Sequence, residues 1–203
     1  MARPILAGYD PRSRDSSPVS FAVAAARFTG APLIVASVCA ELAMPEDSAY
    51  AAFEELPAEA KGALEELASD LQADDVSIDW RQLRGASAPR ALHEAAEREA
   101  AALLVVGSTD RGAIGRVLPG STAERLMHGA PCPIAVVPHG WDARRELQTI
   151  GVAYADSEEG REALRAAHAL AARSEGTLRV LTVVRIHAAA HGETEARLSL
   201  IHI

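Results

Sequence analysis

The sequence predicts an α/β fold built on an open, doubly wound parallel sheet. Two observations predict it: short apolar runs alternate with segments of helical period, and the order of elements is βαβ-αβ-αβ-αβ. Strands that alternate with helices pair in parallel through right-handed crossovers, so the simplest arrangement is a Rossmann-like sheet with helices on both faces. Ligands of such sheets bind beyond the carboxyl ends of the strands, where the strand order reverses.

The elements are placed by apolar periodicity and by their boundary residues. Five strands are predicted, at residues 4–9, 33–38, 76–80, 103–106 and 134–137. Between them, helices are predicted at residues 18–29, 57–73, 89–98 and 121–128, three of them beginning at a proline. The strand at 76–80 alternates apolar and polar residues, which indicates a position nearer an edge of the sheet.

The stretch from Leu103 to Val137 carries the strongest functional pattern. A buried strand leads into a loop with four glycines, and a helix start follows at Ser121, which has Glu124 at capping-box spacing. We therefore expect Ser121 to cap this helix. Backbone N–H groups and the positive end of a helix dipole at the carboxyl edge of a sheet suit an anion, so the stretch predicts a phosphate pocket.

This stretch resembles the C-terminal half of a universal stress protein domain. Nucleotide-binding members of that family carry Gly, two residues, Gly, nine residues, then Gly-Ser or Gly-Thr after the fourth strand. Here Gly107 and the pair Gly120-Ser121 match, whereas Asp110 stands at the second glycine. The resemblance covers residues 4 to about 139. It implies an adenine nucleotide alpha hydrolase-like fold and a regulatory stress-response protein, binding ATP or another adenine nucleotide with little or no turnover.

Two residues are candidates for contacting the adenosine part of a nucleotide. Asp10 ends the first strand, where the resemblance implies an aspartate that contacts adenine or ribose; the alternative is a turn or helix-capping aspartate. Val38 ends the second strand, where family members meet adenine through the backbone; the alternative is a core residue.

A second group is predicted to cradle the phosphates of ATP, with its glycines adopting positive φ or allowing close approach. The alternative is that the glycines shape the loop and Ser121 only caps the helix. The predicted cofactor-binding residues of this group are Gly107, Ser108, Asp110, Arg111, Gly120, Ser121 and Thr122.

Asp110 opposes phosphate binding. A carboxylate about 4 Å from a phosphate charge costs roughly 1 kcal/mol in water and about 4 kcal/mol at an effective dielectric near 20. Two arrangements would remove the penalty: Arg111 or Arg116 neutralises Asp110, or a Mg²⁺ ion bridges it to the phosphates.

Several function classes are excluded or disfavoured. The chain has no G-x-x-x-x-G-K-[ST] loop and no G-x-S-x-G elbow, and the pair His187 and His191, four residues apart, lacks a third zinc ligand, so the protein is predicted not to be an enzyme. An adenylate-transferring relative of this fold is disfavoured, because the motifs S-G-G-x-D-S and H-x-G-H are absent.

The net charge of −8 argues against a nucleic-acid partner. No apolar run approaches the ~20 residues of a membrane span. The N-terminus lacks a signal-peptide pattern, which predicts a cytoplasmic protein, and Cys39 and Cys132 are predicted to be small buried residues.

The pattern restarts after the first domain. Ile150 to Tyr154 echoes Ile5 to Tyr9 at an offset of 145 residues, and a helix from Ser157 and a strand at 178–184 follow. We predict a universal stress protein-like domain at 1–139, a linker at 140–146 and a partial second copy at 147–203. The copy is expected to hold two strands and one helix, and the chain to be a truncated form of a longer tandem protein. The alternative is that residues 186–203 form a helix or strand docked on the first domain.

The last strand of the first domain predicts self-association. Residues from Pro133 to Val137 form an apolar edge strand, and family members commonly pair through this strand. We therefore expect a homodimer. A second hypothesis keeps the fold and the dimer but gives up the nucleotide, leaving a protein-interaction module.

Overall fold

The protein folds into two compact units, residues 1–143 (unit 1) and 144–203 (unit 2). The computed structural model describes residues 2–13, 15–40, 62, 66–67, 69–71, 73, 75–109, 118–141, 149–187 and 194–202. Most of the predicted linker lies outside the described residues. Each unit has its own sheet and its own core.

Unit 1 contains a five-stranded parallel sheet of order β3-β2-β1-β4-β5. The predicted parallel α/β sheet is therefore confirmed, and β3 lies at an edge, as its alternating pattern indicates. The strands are β1 (Ile5–Tyr9), β2 (Leu33–Ala40), β3 (Ile78–Gly85), β4 (Leu103–Gly107) and β5 (Ile134–Val137).

Helices cover both faces of this sheet. Helix α1 (Ser17–Thr29) packs on one face, and helices α2 (Ala88–Arg98) and α3 (Ser121–Met127) pack on the other. Of the helix predicted at 57–73, the described residues 62, 66–67 and 69–70 are helical, and Leu67 joins the α1 face of the core.

The central strands are buried on both faces because helices cover both sides of them. Leu6 and Leu104 are 0% exposed and point to the α2–α3 face, whereas Val105 is 0% exposed on the α1 face. Continuous apolar runs such as those of β1 and β4 are what such two-sided burial requires. This burial holds the carboxyl ends of β1 and β4 in a fixed position in the sheet.

Some predicted boundaries were wrong. Strand β3 begins at Ile78 and runs to Gly85, and β2 continues to Ala40. The capping-box prediction was also wrong: Gly120 is the N-cap of α3, and no side chain caps it. Gly120 has an extended backbone (φ −74°, ψ 169°), so its carbonyl accepts the first helical bond, from the Glu124 N–H at 2.9 Å. Ser121 becomes the first helical residue.

Unit 2 contains a three-stranded sheet of order β6-β7-β8 and one helix. Strands β6 (Thr149–Tyr154) and β7 (Thr177–His187) pair in parallel, with α4 (Glu158–Arg173) between them in sequence. Five buried residues form its core: Val152, Ala167, Ala171, Leu178 and Val180. Ser157, where the sequence predicts the helix to begin, is the N-cap of α4, and the first helical residue is Glu158.

The preferred prediction of two strands and one helix lacks the third strand of unit 2, and the alternative, which allowed a strand at residues 186–203, paired it with the first domain instead of with β7. Strand β8 (Thr194–His202) pairs antiparallel with β7. Residues 194–202 are therefore a paired strand, and they are neither an unpaired apolar segment nor a helix. The signal was present, because Glu195, Arg197 and Ser199 alternate with apolar residues at the period of a strand. Within the part of the chain that the structure describes, no helix has the length and apolar character needed to cross a membrane.

Candidate functional site

The strand order of unit 1 reverses between β1 and β4. The strand that follows β1 lies on one side of it, and the strand that follows β4 lies on the other side, so a crevice is expected between the carboxyl ends of β1 and β4. Tyr9, the last residue of β1, pairs in register with Ser37, which places Asp10 and Val38 just beyond that pair on adjacent strands. The sheet therefore brings Asp10, Val38 and Gly107 to one edge.

Asp10 forms a turn at the end of β1. Its Oδ1 accepts a hydrogen bond from the Arg12 N–H at 2.9 Å, and its carbonyl accepts from the N–H (3.1 Å) and Oγ (2.9 Å) of Ser13. This is the turn aspartate of the alternative interpretation. The side chain is nevertheless exposed at the carboxyl edge, so the two roles are compatible.

Val38 lies inside β2 rather than at its end. It pairs with Leu83 of β3, and its half-buried side chain packs against the α2–α3 face of the core. The core interpretation of its side chain is therefore confirmed. A backbone contact with a ligand is neither required nor prevented by this packing.

The base of the glycine loop is closed by two short contacts. Ser108 and Pro119 form an isolated antiparallel bridge, and the Thr109 N–H donates to the Leu118 carbonyl at 3.0 Å. Residues 110–117 lie outside the described residues. The predicted roles of Asp110 and Arg111 therefore stay predictions.

Two glycines of the loop, Gly107 and Gly120, lie within the described residues, and neither has a positive φ. Gly120 has a negative φ, and the described glycines with positive φ are Gly30 and Gly140. Gly107 is instead a site of close packing: a Cβ added there would lie 3.2 Å from Pro18 Cγ. Its missing side chain lets the start of α1 approach β4. Ser121 is exposed and Thr122 is half-buried, both in the first turn of α3.

A carboxylate that the sequence prediction missed lies beside Gly107. Asp15 Oδ1 accepts from the N–H (3.0 Å) and the Oγ–H (2.5 Å) of Ser17, and Asp15 Oδ2 lies 3.3 Å from His139 Nδ1. The same Oδ2 lies 3.6 Å from the position of an added Gly107 Cβ. The Asp15 side chain is only 10% exposed and Ser17 is 3% exposed. The sequence signal was an aspartate just before a Ser-Ser-Pro helix start.

The segment that follows β5 folds back over the start of α1. The Trp141 N–H donates to Ser17 Oγ at 3.1 Å, and the Trp141 ring meets Phe21 edge-on with centroids 5.3 Å apart. The His139 N–H donates to Ser108 Oγ at 3.2 Å. Gly140 supplies the left-handed φ of 72° that the turn between them needs. The three segments that surround Gly107 are therefore tied together.

Other features of the described chain lie away from this edge. A cavity of about 420 Å³ is lined by Arg27, Pro32 and Asp75, among others, next to the residues that precede β2 and β3, which is the opposite edge of the sheet.

Cys132 is half-buried, and burial raises the pKa of its thiol, which keeps it protonated. The side chain of Cys39 lies outside the described residues. No group of three His, Cys, Asp or Glu side chains suited to a metal ion occurs among the described residues.

Comparison with known proteins identifies one family that matches this chain. The Universal stress protein family matches residues 1–138. A universal stress protein from Mycobacterium tuberculosis is 31% identical over 111 residues, which are 54% of this chain and 38% of that protein. The match thus spans well under half the length of that relative.

Solved structures show the same fold. A protein of unknown function from Pseudomonas aeruginosa superimposes with a TM-score of 0.64 at 18% identity, covering 88% of this chain and 60% of that chain. A universal stress protein from Archaeoglobus fulgidus superimposes with a TM-score of 0.52 at 22% identity, covering 68% of this chain and 99% of that chain. Since the family match covers more than half of the chain, this protein belongs to the universal stress protein family.

Proposed function

We propose that this universal stress protein binds the adenosine part of an adenine nucleotide at the carboxyl edge between β1 and β4, and acts as a regulator with little or no turnover. The observation that carries the proposal is the register of β1 and β2, which sets Asp10 beside Val38 at the point where the strand order reverses. Family membership supports a role in the stress response. The predicted cytoplasmic location stays a prediction.

In this proposal Asp10 accepts a hydrogen bond from ribose or from the adenine amino group, and the backbone at Val38 meets the base. The turn at Asp10 holds the carboxylate in place, because Oδ1 is already bonded to the Arg12 N–H. Phosphates of ATP would extend toward Ser108, Gly120 and Ser121, and Mg²⁺ would act through Asp110. The adenosine contacts are the part that the described residues fit best.

Calorimetric titration with adenosine, AMP, cAMP and ATP, with and without Mg²⁺, tests the proposal. Asp10→Asn keeps an oxygen for the Arg12 N–H and removes the charge, so it should weaken adenosine binding about tenfold. Asp79→Asn is the matched control, because Asp79 is an exposed aspartate of β3 paired with Arg81. Equal affinity of wild type and Asp10→Asn would remove Asp10 from the site, and no binding of any of the four ligands would refute the proposal.

The Asp110 hypothesis has its own test. Asp110→Gly restores the family's glycine and removes a negative charge from the loop, so it should tighten ATP binding by about tenfold, roughly 1.4 kcal/mol. Adenosine should bind both proteins equally. Equal ATP affinity of the two proteins would remove Asp110 from the argument.

We also propose that the chain forms a homodimer through β5, which would serve the alternative function as an interaction module as well. Strand β5 ends the described order of the sheet. The carbonyls of Pro133 and Val137 accept bonds from Leu104 and Ser108, so the backbone groups of the alternate residues 134 and 136 point away from β4. Such an edge can pair with the same strand of a second copy.

Analytical ultracentrifugation at tens of micromolar tests the dimer. Val136→Pro removes an outward N–H without removing a bond to β4, so it should shift the dimer to monomer. Val136→Ala keeps the N–H and is the matched control. A wild-type protein that sediments as a monomer would contradict the proposal.

Unit 2 is proposed to be a partial second copy of the same domain. The register supports it: Ile5 pairs with Leu33 in unit 1, and Ile150 pairs with Leu178 in unit 2, so both strands are displaced by the same 145 positions. Among the described residues, unit 2 has no strand in the place of β4. The copy is therefore not proposed to bind nucleotide.

A further inference from the structure

We propose that Asp15 is a specificity-determining residue of this site, which disfavours phosphate beside Gly107 and makes the crevice prefer adenosine to ATP. The inference rests on the proposed nucleotide function. It differs from the Asp110 hypothesis, because Asp15 belongs to the loop between β1 and α1.

Asp15 lies against the carboxyl end of β4. Its Oδ2 is 3.6 Å from the place of a Gly107 Cβ, where the glycine loop begins. The Ser108 N–H already donates to the Val137 carbonyl, so we consider a phosphate placed beside Gly107 itself, about 5–6 Å from this carboxylate. At that distance, and with the Asp15 side chain 90% buried, like charges change a binding constant by roughly tenfold or more.

The Asp15 side chain cannot easily turn away from Gly107. Its Oδ1 is held by two donors of Ser17, and Ser17 Oγ in turn accepts the Trp141 N–H. Swinging the carboxylate out would leave the buried Ser17 hydroxyl and N–H without this acceptor, which is unfavourable. The Ser17 N–H at the start of α1 is also occupied, so it is not available to a phosphate.

Among the residues that the structure describes, a basic side chain lies against Asp15: His139 Nδ1 is 3.3 Å from Asp15 Oδ2, and the His139 side chain is 51% exposed. A histidine offsets the carboxylate only when it is protonated. A permanent cation at position 139 would therefore neutralise Asp15 without disturbing its bonds to Ser17.

The experiment compares ATP with adenosine by calorimetry at one ionic strength. Asp15→Asn keeps an oxygen for the Ser17 donors and removes the charge, so ATP should bind about tenfold more tightly while adenosine changes less than twofold. His139→Arg should tighten ATP binding in the same direction. Asp156→Asn is the matched control, because Asp156 precedes the N-cap of α4 and its side chain is 77% exposed; it should change neither affinity.

The outcomes separate this inference from the function beneath it. If adenosine binds but ATP affinity is unchanged in both Asp15→Asn and His139→Arg, Asp15 is not a specificity determinant and the proposed function survives. If wild type binds neither ligand, both are overturned. If Asp15→Asn does not fold, unchanged ATP affinity in His139→Arg still overturns the inference, because a permanent cation beside Asp15 has to tighten ATP binding if Asp15 opposes it.

Discussion

The β1–α1–β2 segment of unit 1 and the β6–α4–β7 segment of unit 2 share a register but differ in what surrounds their first strand. Strand β1 lies between β2 and β4, and four of its five residues are buried. Strand β6 pairs with β7 alone among the described strands, and only Val152 of its six residues is buried. The same βαβ pattern therefore yields a two-sided core in one unit and a one-sided core in the other.

The helix starts differ in the same way. In both units an aspartate and a serine precede the helix, Asp15-Ser16 and Asp156-Ser157. Asp156 bonds to Arg161 and is 77% exposed, whereas Asp15 is nearly buried against Gly107. The local sequence is alike, so the neighbours supplied by β4 and by residues 138–141 decide what the aspartate does.

The largest effect is expected from breaking the two-sided core. Leu6 is 0% exposed on the α2–α3 face of β1, so Leu6→Ala should destabilise unit 1 by about 2–5 kcal/mol through lost burial and a cavity. Both tryptophans, Trp80 and Trp141, lie in unit 1, so urea unfolding followed by tryptophan fluorescence reports this unit. Gly151→Ala is the control, because Gly151 is the exposed residue of unit 2 that lies 145 positions after Leu6, and it should leave the unfolding transition of unit 1 unchanged. A Leu6→Ala loss below about 1 kcal/mol would contradict the two-sided core.

The next effect falls on unit 2. A Cβ at Gly160 would overlap the backbone carbonyl of Ala155, so Gly160→Ala should force the start of α4 to shift and cost about 1–3 kcal/mol. Hydrogen exchange of the α4 amides should accelerate while the fluorescence transition of unit 1 stays unchanged. Glu162→Ala, at an exposed position of α4, is the control. Unchanged protection in Gly160→Ala would show that the loop before α4 relaxes without cost.

The sequence predicted the layout of unit 1 because apolar runs and helix breakers are local signals. The edge position of β3 and the parallel pairing of the sheet follow from the period of apolar residues and from the alternation of strands with helices. The capping role of Ser121 failed because Gly120 can begin the helix with its own carbonyl. The spacing of Ser121 and Glu124 did not distinguish a helix capped by Ser121 from one whose N-cap is Gly120.

The parts that the sequence did not predict depend on distant contacts. Asp15 is 92 positions from Gly107, and Trp141 is 124 positions from Ser17, so no local period reports either pairing. A strand at residues 194–202 was predicted only as an alternative, and its antiparallel pairing with β7 was not predicted, because the alternation of polar and apolar residues does not report the partner of a strand. Long-range pairing therefore set the limit of prediction for the site.

A smaller effect separates the two helix starts. Ser157 Oγ accepts the Gly160 N–H at 3.1 Å, so Ser157→Ala should cost roughly 1 kcal/mol of unit 2 stability. Ser16 is the N-cap of α1 without a side-chain cap bond, so Ser16→Ala should cost much less. Hydrogen exchange at the first turns of α4 and α1 measures both variants in the same experiment. Equal losses would mean that the cap bond does not distinguish the units.

The smallest effect concerns ion pairs on the two helices. Arg27 in the last turn of α1 bonds Asp75, 48 positions away, and this hydrogen bond lowers the pKa of the Asp75 carboxyl. Because the pKa of Asp75 is lowered in the folded state, the pair stabilises the fold at pH values above the ordinary pKa of 3.8. This stabilisation is lost as the pH falls through the lowered pKa. Asp75→Asn should therefore slightly flatten the acid limb of the unit 1 stability curve below about pH 4, and change stability little at pH 7 because the pair is exposed. The Asp156–Arg161 pair spans only five positions within unit 2, so Asp156→Asn should leave the fluorescence-detected acid limb as it is. An acid limb that is identical in wild type and Asp75→Asn would show that this pair contributes nothing to holding α1 against the segment before β3.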